Sequence, residues 1–208
     1  LAMSSSVEGD RAAYTMFSHH SPGFDQCQLR LFDLSIGTKR TIEESISAHY
    51  ASGPGCDMGS VALQYPWVVW RDVREVDTYD WNAMALNLET GERRNLSADP
   101  PDDLGKWSAV RVDLLGTTVV WAGVGWDSHQ KVVSADLATG ERRVITEAPG
   151  ARIFATITPD WIAWIDQRNY TSCGWMDPCR SDIYGYNRAT GVEQGLVTAG
   201  EEMHGDEV

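Results

Sequence analysis

The chain has 208 residues, of which 42% are hydrophobic and 23% are charged, a composition typical of a globular protein with one large or two small domains. Its 17 basic and 30 acidic residues give a formal net charge of −13, which repels phosphate groups and argues against nucleic acid or an anionic membrane surface as a partner. No apolar run approaches the ~20 residues of a membrane-spanning helix, so membrane insertion is not expected.

A short pattern with hairpin chemistry recurs along the chain about every 50 residues, a period typical of propeller blades. It reads LETGERRNL at 88–96 and LATGERRVI at 137–145, with looser copies at 34–42 and 188–194. The glycine of each copy tolerates a positive φ and therefore predicts a tight turn between two strands. The paired arginines after this glycine are predicted to lie on an exposed edge strand, where charge blocks pairing with other molecules.

A second repeated element lies upstream of each hairpin. It reads WVVW at 67–70, TVVW at 118–121 and WIAW at 161–164, with a weak copy, AAYT, at 12–15. These β-branched and aromatic runs predict strands, and each follows a turn and another short apolar strand. The recurring tryptophans are interpreted as packing between blades rather than as a surface that stacks sugars or bases.

The prediction is therefore an all-β fold, a β-propeller of four-stranded antiparallel blades. Its four blades span approximately 1–45, 57–97, 105–146 and 151–198, and they form either a single propeller domain or part of a larger propeller. Residues 199–208 are expected to open a further blade or to supply a closing strand. Residues 42–50 have some helical pattern but are assigned to a loop between blades.

Blade four reads WIDQRN at 164–169 and DIYGYNRATG at 182–191. This resembles the TolB-like propeller repeat, which runs W-x-D-x-R-N and then D-I-Y-x-Y-(D/N)-x-x-T-G. Blades two and three carry partial copies, and blade one keeps Asp33, Leu34 and Gly37. The resemblance implies the fold rather than a function, because such repeats occur in periplasmic translocation proteins, peptidase-linked propellers and secreted bacterial proteins.

The long loops are predicted to share one face of the propeller, because loops between second and third strands lie on the same side as the loops between blades. Long loops on a rigid scaffold are the usual place for binding. These loops are assigned to 18–26, 48–59, 71–81, 97–106, 122–130 and 165–181. The candidate binding residues on this long-loop face are His19, His20, Asp72, Arg74, Asp77, Asp80, Trp126, Asp127, His129, Asp166, Arg168 and Trp175.

The chemistry of these candidates favours a structural role for the repeated Asp and Arg. An Asp two residues beyond the strand can accept hydrogen bonds from the following turn, and a neighbouring Arg can pair with it. Metal binding by Asp72, Asp77 and Asp80, or by Asp166 and Asp182, is the alternative, but the spacing fits no loop with a fixed ligand register. No catalytic residue, metal or cofactor is expected, since the chain has no nucleophile-elbow or phosphate-loop motif.

The four cysteines favour an oxidising compartment. Cys173 and Cys179 lie within one predicted loop, while Cys27 begins a predicted third strand and Cys56 lies in the inter-blade loop that follows it. Two plausible pairs on one face favour disulfide bonds, and four-cysteine zinc binding is the rival, although no C-x-x-C spacing supports it. The predicted location is periplasmic or extracellular.

The sequence therefore predicts a non-enzymatic binding or scaffolding propeller that recognises a protein or a glycan through its long-loop face. Two alternatives stay open. One is a carbohydrate-active enzyme, a glycosidase or lyase, with paired carboxylates in the central channel. The other is the propeller domain of a serine peptidase that continues beyond residue 208. Further partners are the remaining propeller blades or a partner chain that completes the ring.

The disulfide assignment predicts the result of mass spectrometry on protein purified without reductant. Disulfide-linked peptides are expected to join Cys27 to Cys56 and Cys173 to Cys179. Four thiols that react with an alkylating reagent in the native protein would overturn both the pairing and the oxidising compartment. A bond between Cys56 and Cys173 would keep the compartment but show that the loops are assigned to the wrong places.

Overall fold

A computed structural model describes residues 2–21, 24–48, 58–73, 81–97, 108–124, 130–146, 150, 152–169 and 181–198. None of these residues forms a helix, and so none belongs to a helix that is long and apolar enough to cross a membrane. The strands are β1 (Ala2–Glu8), β2 (Arg11–Ser21), β3 (Phe24–Asp33), β4 (Thr38–Ala48), β5 (Val61–Gln64), β6 (Trp67–Val73), β7 (Trp81–Asn87), β8 (Arg93–Asn95), β9 (Ser108–Leu115), β10 (Thr118–Val124), β11 (Lys131–Asp136), β12 (Arg142–Thr146), β13 (Arg152–Ile157), β14 (Trp161–Asp166), β15 (Asp182–Asn187) and β16 (Glu193–Val197).

These strands form four antiparallel sheets, each with its strands paired in chain order from first to fourth. The sheets are the blades, which we number one to four along the chain. The all-β propeller predicted from the repeats is confirmed. The repeated apolar run forms part of the second strand in each blade. In every sheet each strand pairs with the strand that follows it in the chain, which is the usual arrangement of consecutive antiparallel strands.

Blade one corrects two predictions about loops. Strands β2 and β3 continue through most of 18–26, where a loop was predicted, and His19 pairs with Asp25 near the end of this hairpin. Strand β4 runs on to Ala48, so that most of 42–50 is strand rather than a loop between blades. The physical reason is a cross-strand polar ladder, in which Gln26 and Gln28 donate hydrogen bonds of 3.0 and 2.8 Å to the carboxylate of Glu44.

One side chain closes the turn between the third and fourth strands in every blade. Its Oδ1 accepts the backbone N–H groups of the residues two and three positions further on, at 2.8–3.3 Å. A glycine with φ between +68° and +77° follows four residues after it. This explains the D/N-x-x-T-G pattern, because the carboxyl or amide oxygen fixes the turn and only glycine adopts that φ without strain. The closing residues are Asp33, Asn87, Asp136 and Asn187.

The hydrophobic core lies between blades. Trp70 and Met84 of blade two pack against Leu29 and Leu31 of blade one. Trp121 of blade three packs in the same way within a cluster that includes blade two, and Trp164 of blade four lies in a cluster with blade three. All three tryptophans are at most 2% exposed, which confirms their role in packing between blades.

The first strands of successive blades are joined by side chains that accept backbone N–H groups. Ser4 and Ser6 of β1 accept the N–H groups of Val61 and Leu63 at 3.1 and 3.0 Å. Asp113 of β9 accepts the N–H of Ile157 in the same way, at 3.1 Å. These bonds satisfy backbone donors that no strand of the same blade reaches, and so they fix the register between blades.

The paired arginines do not serve as free edge charges, which corrects the prediction for blade two. Arg93 forms an ion pair of 2.5 Å with Glu43 of blade one, and Arg94 donates to the carbonyl oxygen of Leu137 in blade three at 2.5 Å. Arg142 reaches back from blade three to the carbonyl oxygen of Asn95 at 3.4 Å. Their charges are used between blades because the fourth strands of neighbouring blades come within reach of a long side chain.

We call the side of a blade that turns toward the next blade its forward face. Strand register makes Leu29, Ala83, Val132 and Ile183 equivalent on the four forward faces. The first three are 0% exposed, whereas Ile183 of blade four is 40% exposed. Leu196 shows the same contrast, since it is 41% exposed while the equivalent Leu96 is 6% exposed. The four blades are therefore an open arrangement, part of a larger propeller.

Candidate functional site at the long-loop face

The structure describes only part of the predicted site. Asp72 lies in β6, Asp166 ends β14, and Arg168 follows it in a turn. His19 and His20 lie in strand β2 rather than in the loop to which they were assigned, because the hairpin of blade one extends further. The remaining candidates lie outside the described residues: Arg74, Asp77, Asp80, Trp126, Asp127, His129 and Trp175.

Cys27 is the one cysteine among the described residues. It lies within β3, fully buried, and it is disulfide-bonded. Cys56, Cys173 and Cys179 lie outside the described residues, so the two pairings stay predictions.

The centre of the described site is the carboxylate of Asp166, which is 0% exposed. It accepts hydrogen bonds from the indole N–H of Trp164 at 2.8 Å, from the backbone N–H of Arg168 at 2.8 Å and from the Arg168 guanidinium at 2.6 Å. The Nε of Arg152 lies 3.2 Å away as an ion pair that lacks the alignment of a hydrogen bond. The carboxylate is thus surrounded by donors and positive charge.

Both arginines extend this network to other strands. Arg168 also forms a 2.6 Å ion pair with Glu193 of β16, and its guanidinium stacks 3.8 Å from the ring centroid of Tyr184. Arg152, fully buried, donates to the carbonyl oxygens of Gln130 and Gly150 at 2.6 and 3.1 Å. The network therefore connects blade three, the segment between blades and all four strands of blade four.

The environment of Asp166 keeps it ionised. Burial by itself raises the pKa of its carboxyl. The hydrogen bonds from Arg168 and Trp164 and the charge of Arg152 lower this pKa by more than burial raises it, so the pKa lies below its ordinary value. Burial likewise lowers the pKa of Arg168, and the hydrogen bonds to Asp166 and Glu193 more than offset this, so its pKa is raised. A carboxylate held in this state is a poor proton acceptor, which does not suit a general base.

Two hydrogen bonds close to this network connect the residues on either side of 170–180. Asn169 donates to the carboxylate of Asp182 at 2.8 Å, and Gln167 donates to the hydroxyl of Ser181 at 3.3 Å. Gly150 approaches this turn so closely that an added Cβ would lie 2.6 Å from the Cα of Arg168. The arrangement fixes the residues on both sides of 170–180 relative to each other, which fits the structural interpretation of the Asp and Arg.

Blade two carries a related contact with different partners. Asp72, which is equivalent to Asp166, is 2% exposed and lies 3.8 Å from the guanidinium of Arg93. Arg93 in turn pairs with Glu43 of blade one, so this charge contact also spans two blades. No group of three metal-ligating side chains occurs among the described residues, and Asp166 and Asp182 have the separate hydrogen-bond donors given above.

Sequence reasoning missed Arg152, Glu193 and Gly150. Strand pairing places Arg152 opposite Asp166, whereas the equivalent pairs are Ala2 with Met16 in blade one and Ala109 with Gly123 in blade three. The arginine is therefore absent from the repeat pattern, and no repeat-based signal could have found it. Glu193 follows the turn glycine, at a position where blades two and three carry arginine, and this exchange of charge is visible in the sequence.

No protein-family model matches the chain, and a search of curated proteins finds no match. Solved structures do match. TolB from Acinetobacter baumannii is 16% identical, with a TM-score of 0.59 over 90% of this chain and 42% of its own length. The β-propeller domain of the Trilobed protease from Pyrococcus furiosus is 12% identical, with a TM-score of 0.60 over 94% of this chain and 56% of its own. A puromycin-hydrolyzing peptidase of Mycobacterium tuberculosis is 14% identical, with a TM-score of 0.61 over 95% of this chain and 29% of its own.

These similarities and the four blades define the chain as a β-propeller domain. The propeller fold is TolB-like, as the repeat pattern implied. At this level of identity the similarity shows the fold alone, and the chain spans between 29% and 56% of the length of these three proteins.

The Asp166 network predicts a loss of stability in the variant Asp166→Asn. Removing the charge leaves Arg152 and Arg168 without their shared partner, and breaking a buried pair in this way costs about 3–5 kcal/mol of unfolding free energy. Denaturant unfolding at neutral pH measures it. Asp160→Asn, in an exposed turn, is the matched control and is expected to change stability by less than about 0.5 kcal/mol.

The pH dependence gives this prediction a second readout. Because the pKa of Asp166 is lowered in the folded state, its contribution is present above the unfolded pKa of about 3.9 and disappears as the pH falls through the folded value. The stability gap between the wild type and Asp166→Asn should therefore narrow below about pH 4. A gap that stays constant there would show that the charge of Asp166 is not what stabilises the network.

Proposed function

We propose that this chain is a recognition module that binds a protein or a glycan through its long-loop face. The observation that carries the proposal is the buried Arg152–Asp166–Arg168–Glu193 network. Its charges are satisfied internally and are directed at holding loop bases in place, not at a reacting group. A fixed base lowers the conformational entropy that a loop loses on binding, which is how a rigid scaffold supports recognition.

A second candidate function is supported by the comparisons. The structures similar to this chain include a protease propeller domain and a puromycin-hydrolyzing peptidase. By analogy, the chain would be the propeller of a serine peptidase whose catalytic domain lies elsewhere in the protein. In that case the propeller would control which substrates reach the catalytic domain, and hydrolysis would require residues that this chain does not contain.

We propose a location in the periplasm or outside the cell. The support is Cys27, which is fully buried and disulfide-bonded. Structural disulfides persist in oxidising compartments and are rare in the cytosol.

We also propose that a further propeller blade covers the forward face of blade four. Ile183 and Leu196 are 40% and 41% exposed, although their equivalents in the other blades pack against a following blade. Trp161, Ala163 and Ile165 lie half-buried beside them. An apolar face with the same residue pattern as three covered faces fits the same kind of partner.

The recognition proposal predicts binding without turnover. Glycan arrays and immobilised peptides, each paired with a hydrolysis assay on the same compounds, are the measurement. A ligand that binds should lose at least about tenfold in affinity in Trp126→Ala or Trp175→Ala, because buried aromatic anchors dominate such interfaces. Val192→Ala, on the opposite face, is the control and should leave affinity unchanged.

Hydrolysis of a glycan that is abolished by a single loop substitution, such as Asp77→Asn or Asp80→Asn, would instead identify a carbohydrate-active enzyme. The coding sequence beyond residue 208 distinguishes the peptidase candidate from the recognition module, because a serine peptidase would have its hydrolase domain encoded there. Binding that is insensitive to Trp126, Trp175 and the loop carboxylates would contradict the long-loop face as the site.

The blade-four proposal predicts the effect of Ile183→Lys in the intact protein. If another blade covers this face, the substitution buries an unpaired charge and should lower the unfolding free energy by about 3–5 kcal/mol. Val192→Lys, at a turn residue that is 53% exposed, is the control and should change it by less than about 0.5 kcal/mol. Equal, small effects of the two substitutions would show that the forward face of blade four stays uncovered.

A further inference from the structure

An open groove of about 410 Å³ lies between blades one and two, on the tight-turn face opposite the long loops. Its apolar floor is Leu31 and Leu88, and the ring of Tyr65 forms one wall. The rest of the lining carries three cations and one carboxylate, with a threonine between them: Arg11, Lys39, Arg40, Asp33 and Thr38. The volume is in the range of small-molecule sites, roughly 300–1,000 Å³. The groove shares no residue with the proposed long-loop site.

The groove exists because the first residue of the second strand differs between blades. Arg11, Trp67 and Thr118 begin the second strands of the first three blades, as their pairing with Asp33, Asn87 and Asp136 shows. At the next interface the indole of Trp67, 7% exposed, fills this place under the guanidinium of Arg94 at 5.3 Å.

At the interface of blades three and four the position is the smaller Thr118. The ring of Tyr186, 6% exposed, occupies that interface and lies 5.2 Å from the guanidinium of Arg143. Blade two has Leu86 where blade four has Tyr186. Blades one and two therefore lack both rings. The Arg11 guanidinium stacks 3.9 Å from the centroid of Tyr65, and the space in front of Leu31 stays open.

The charges around the groove are unevenly satisfied. Among the described residues Lys39, Arg40 and Arg11 form no ion pair. Arg11 contacts the Tyr65 ring and lies opposite Asp33 in the strand pairing. Hydrogen bonds from Ser35 and the charge of Arg11 both lower the pKa of that carboxyl. The nearby carboxylates have donors of their own. Asp33 accepts the N–H and hydroxyl of Ser35 at 3.0 and 2.6 Å. The other carboxylates bind Tyr65: Glu8 accepts its backbone N–H, and Glu89 accepts its hydroxyl, which raises the pKa of Tyr65.

Three cations against the single carboxylate of Asp33 give the groove lining an excess of positive charge, which is an exception in a chain whose net charge is −13. Guanidinium groups bind carboxylates through paired N–H donors, and stacking on Tyr65 holds that of Arg11 in one orientation. The apolar floor favours a ligand with an apolar body next to its anionic group over a bare inorganic anion.

From these observations we propose that the groove is a binding site for carboxylates with an apolar body. Such a group comes from a free organic acid or from the C-terminus of a peptide that ends in apolar residues. The carboxylate lies between Arg11 and Arg40, Lys39 adds long-range attraction, and the apolar body covers Leu31 and Leu88. The tight-turn face thereby acquires a function that is separate from the long-loop face.

The test uses N-acetyl-leucyl-leucine as the free acid and as its C-terminal amide, with binding to the intact protein followed by calorimetry and NMR. The free acid is expected to bind at least tenfold more tightly than the amide. Octanoate tests whether a free organic acid, rather than a peptide C-terminus, can supply the carboxylate. Inorganic phosphate at the same ionic strength is expected to compete only weakly with either ligand for the groove.

Two variants locate the site. Arg11→Trp introduces the residue that fills this position in blade two, so it should abolish binding of the free acid while preserving or raising the melting temperature. Arg40→Glu should lower affinity at least tenfold. The matched control is Arg111→Glu, which makes the same change of charge at an exposed position of blade three and should leave affinity unchanged.

Several outcomes would overturn the proposal. They are equal binding of the acid and the amide, no binding of the acid or octanoate at millimolar concentration, and equal losses in Arg40→Glu and Arg111→Glu. Retained binding by a folded Arg11→Trp variant would also do so. None of these results bears on the long-loop face, which the Trp126 and Trp175 variants test separately.

Discussion

A four-stranded sheet with two apolar faces is stable in water only when both faces are covered. In this protein the neighbouring blade provides that cover, and the contacts of Trp70, Trp121 and Trp164 across the interfaces show how much of the core lies between sheets. Because the hydrophobic core belongs to pairs of blades, each blade depends on the next for its stability, as in other repeat proteins. The forward face of blade four, with Ile183 and Leu196 exposed, has no such cover among the described residues.

Polar contacts set the geometry that this apolar packing leaves undefined. Side chains of one first strand accept backbone N–H groups of the next, as Ser4 and Asp113 do, and charged side chains such as Arg93 reach across the fourth strands. Hydrophobic burial has little directional preference, whereas a hydrogen bond fixes a distance and an angle. The blades are therefore held together by apolar surface and aligned by polar groups at both edges of the interface.

The two faces of the propeller use charge in different ways. On the tight-turn side, Arg11, Lys39 and Arg40 outnumber the carboxylate of Asp33 along the lining of an open groove. On the opposite side, Asp166 and its arginines form a buried network of opposite charges that fixes the residues on both sides of 170–180. A satisfied network contributes rigidity, and an excess of cations contributes affinity for an anion, so one scaffold supports a positioning role on one side and a binding role on the other.

The sequence alone determined the repeat, the strand content and the turn chemistry, because these depend on local patterns such as the D/N-x-x-T-G of 136–140. It also placed the tryptophans in the core. The predicted length of the first hairpin was wrong. Its polar strands are stabilised by hydrogen bonds from Gln26 and Gln28 to Glu44, and a search for apolar runs assigns such polar segments to loops. Only the tertiary structure brought Arg152 to Asp166 and placed Arg11 on Tyr65. Each of these contacts joins segments that no repeat relates, and a repeat pattern carries no information about contacts that occur once.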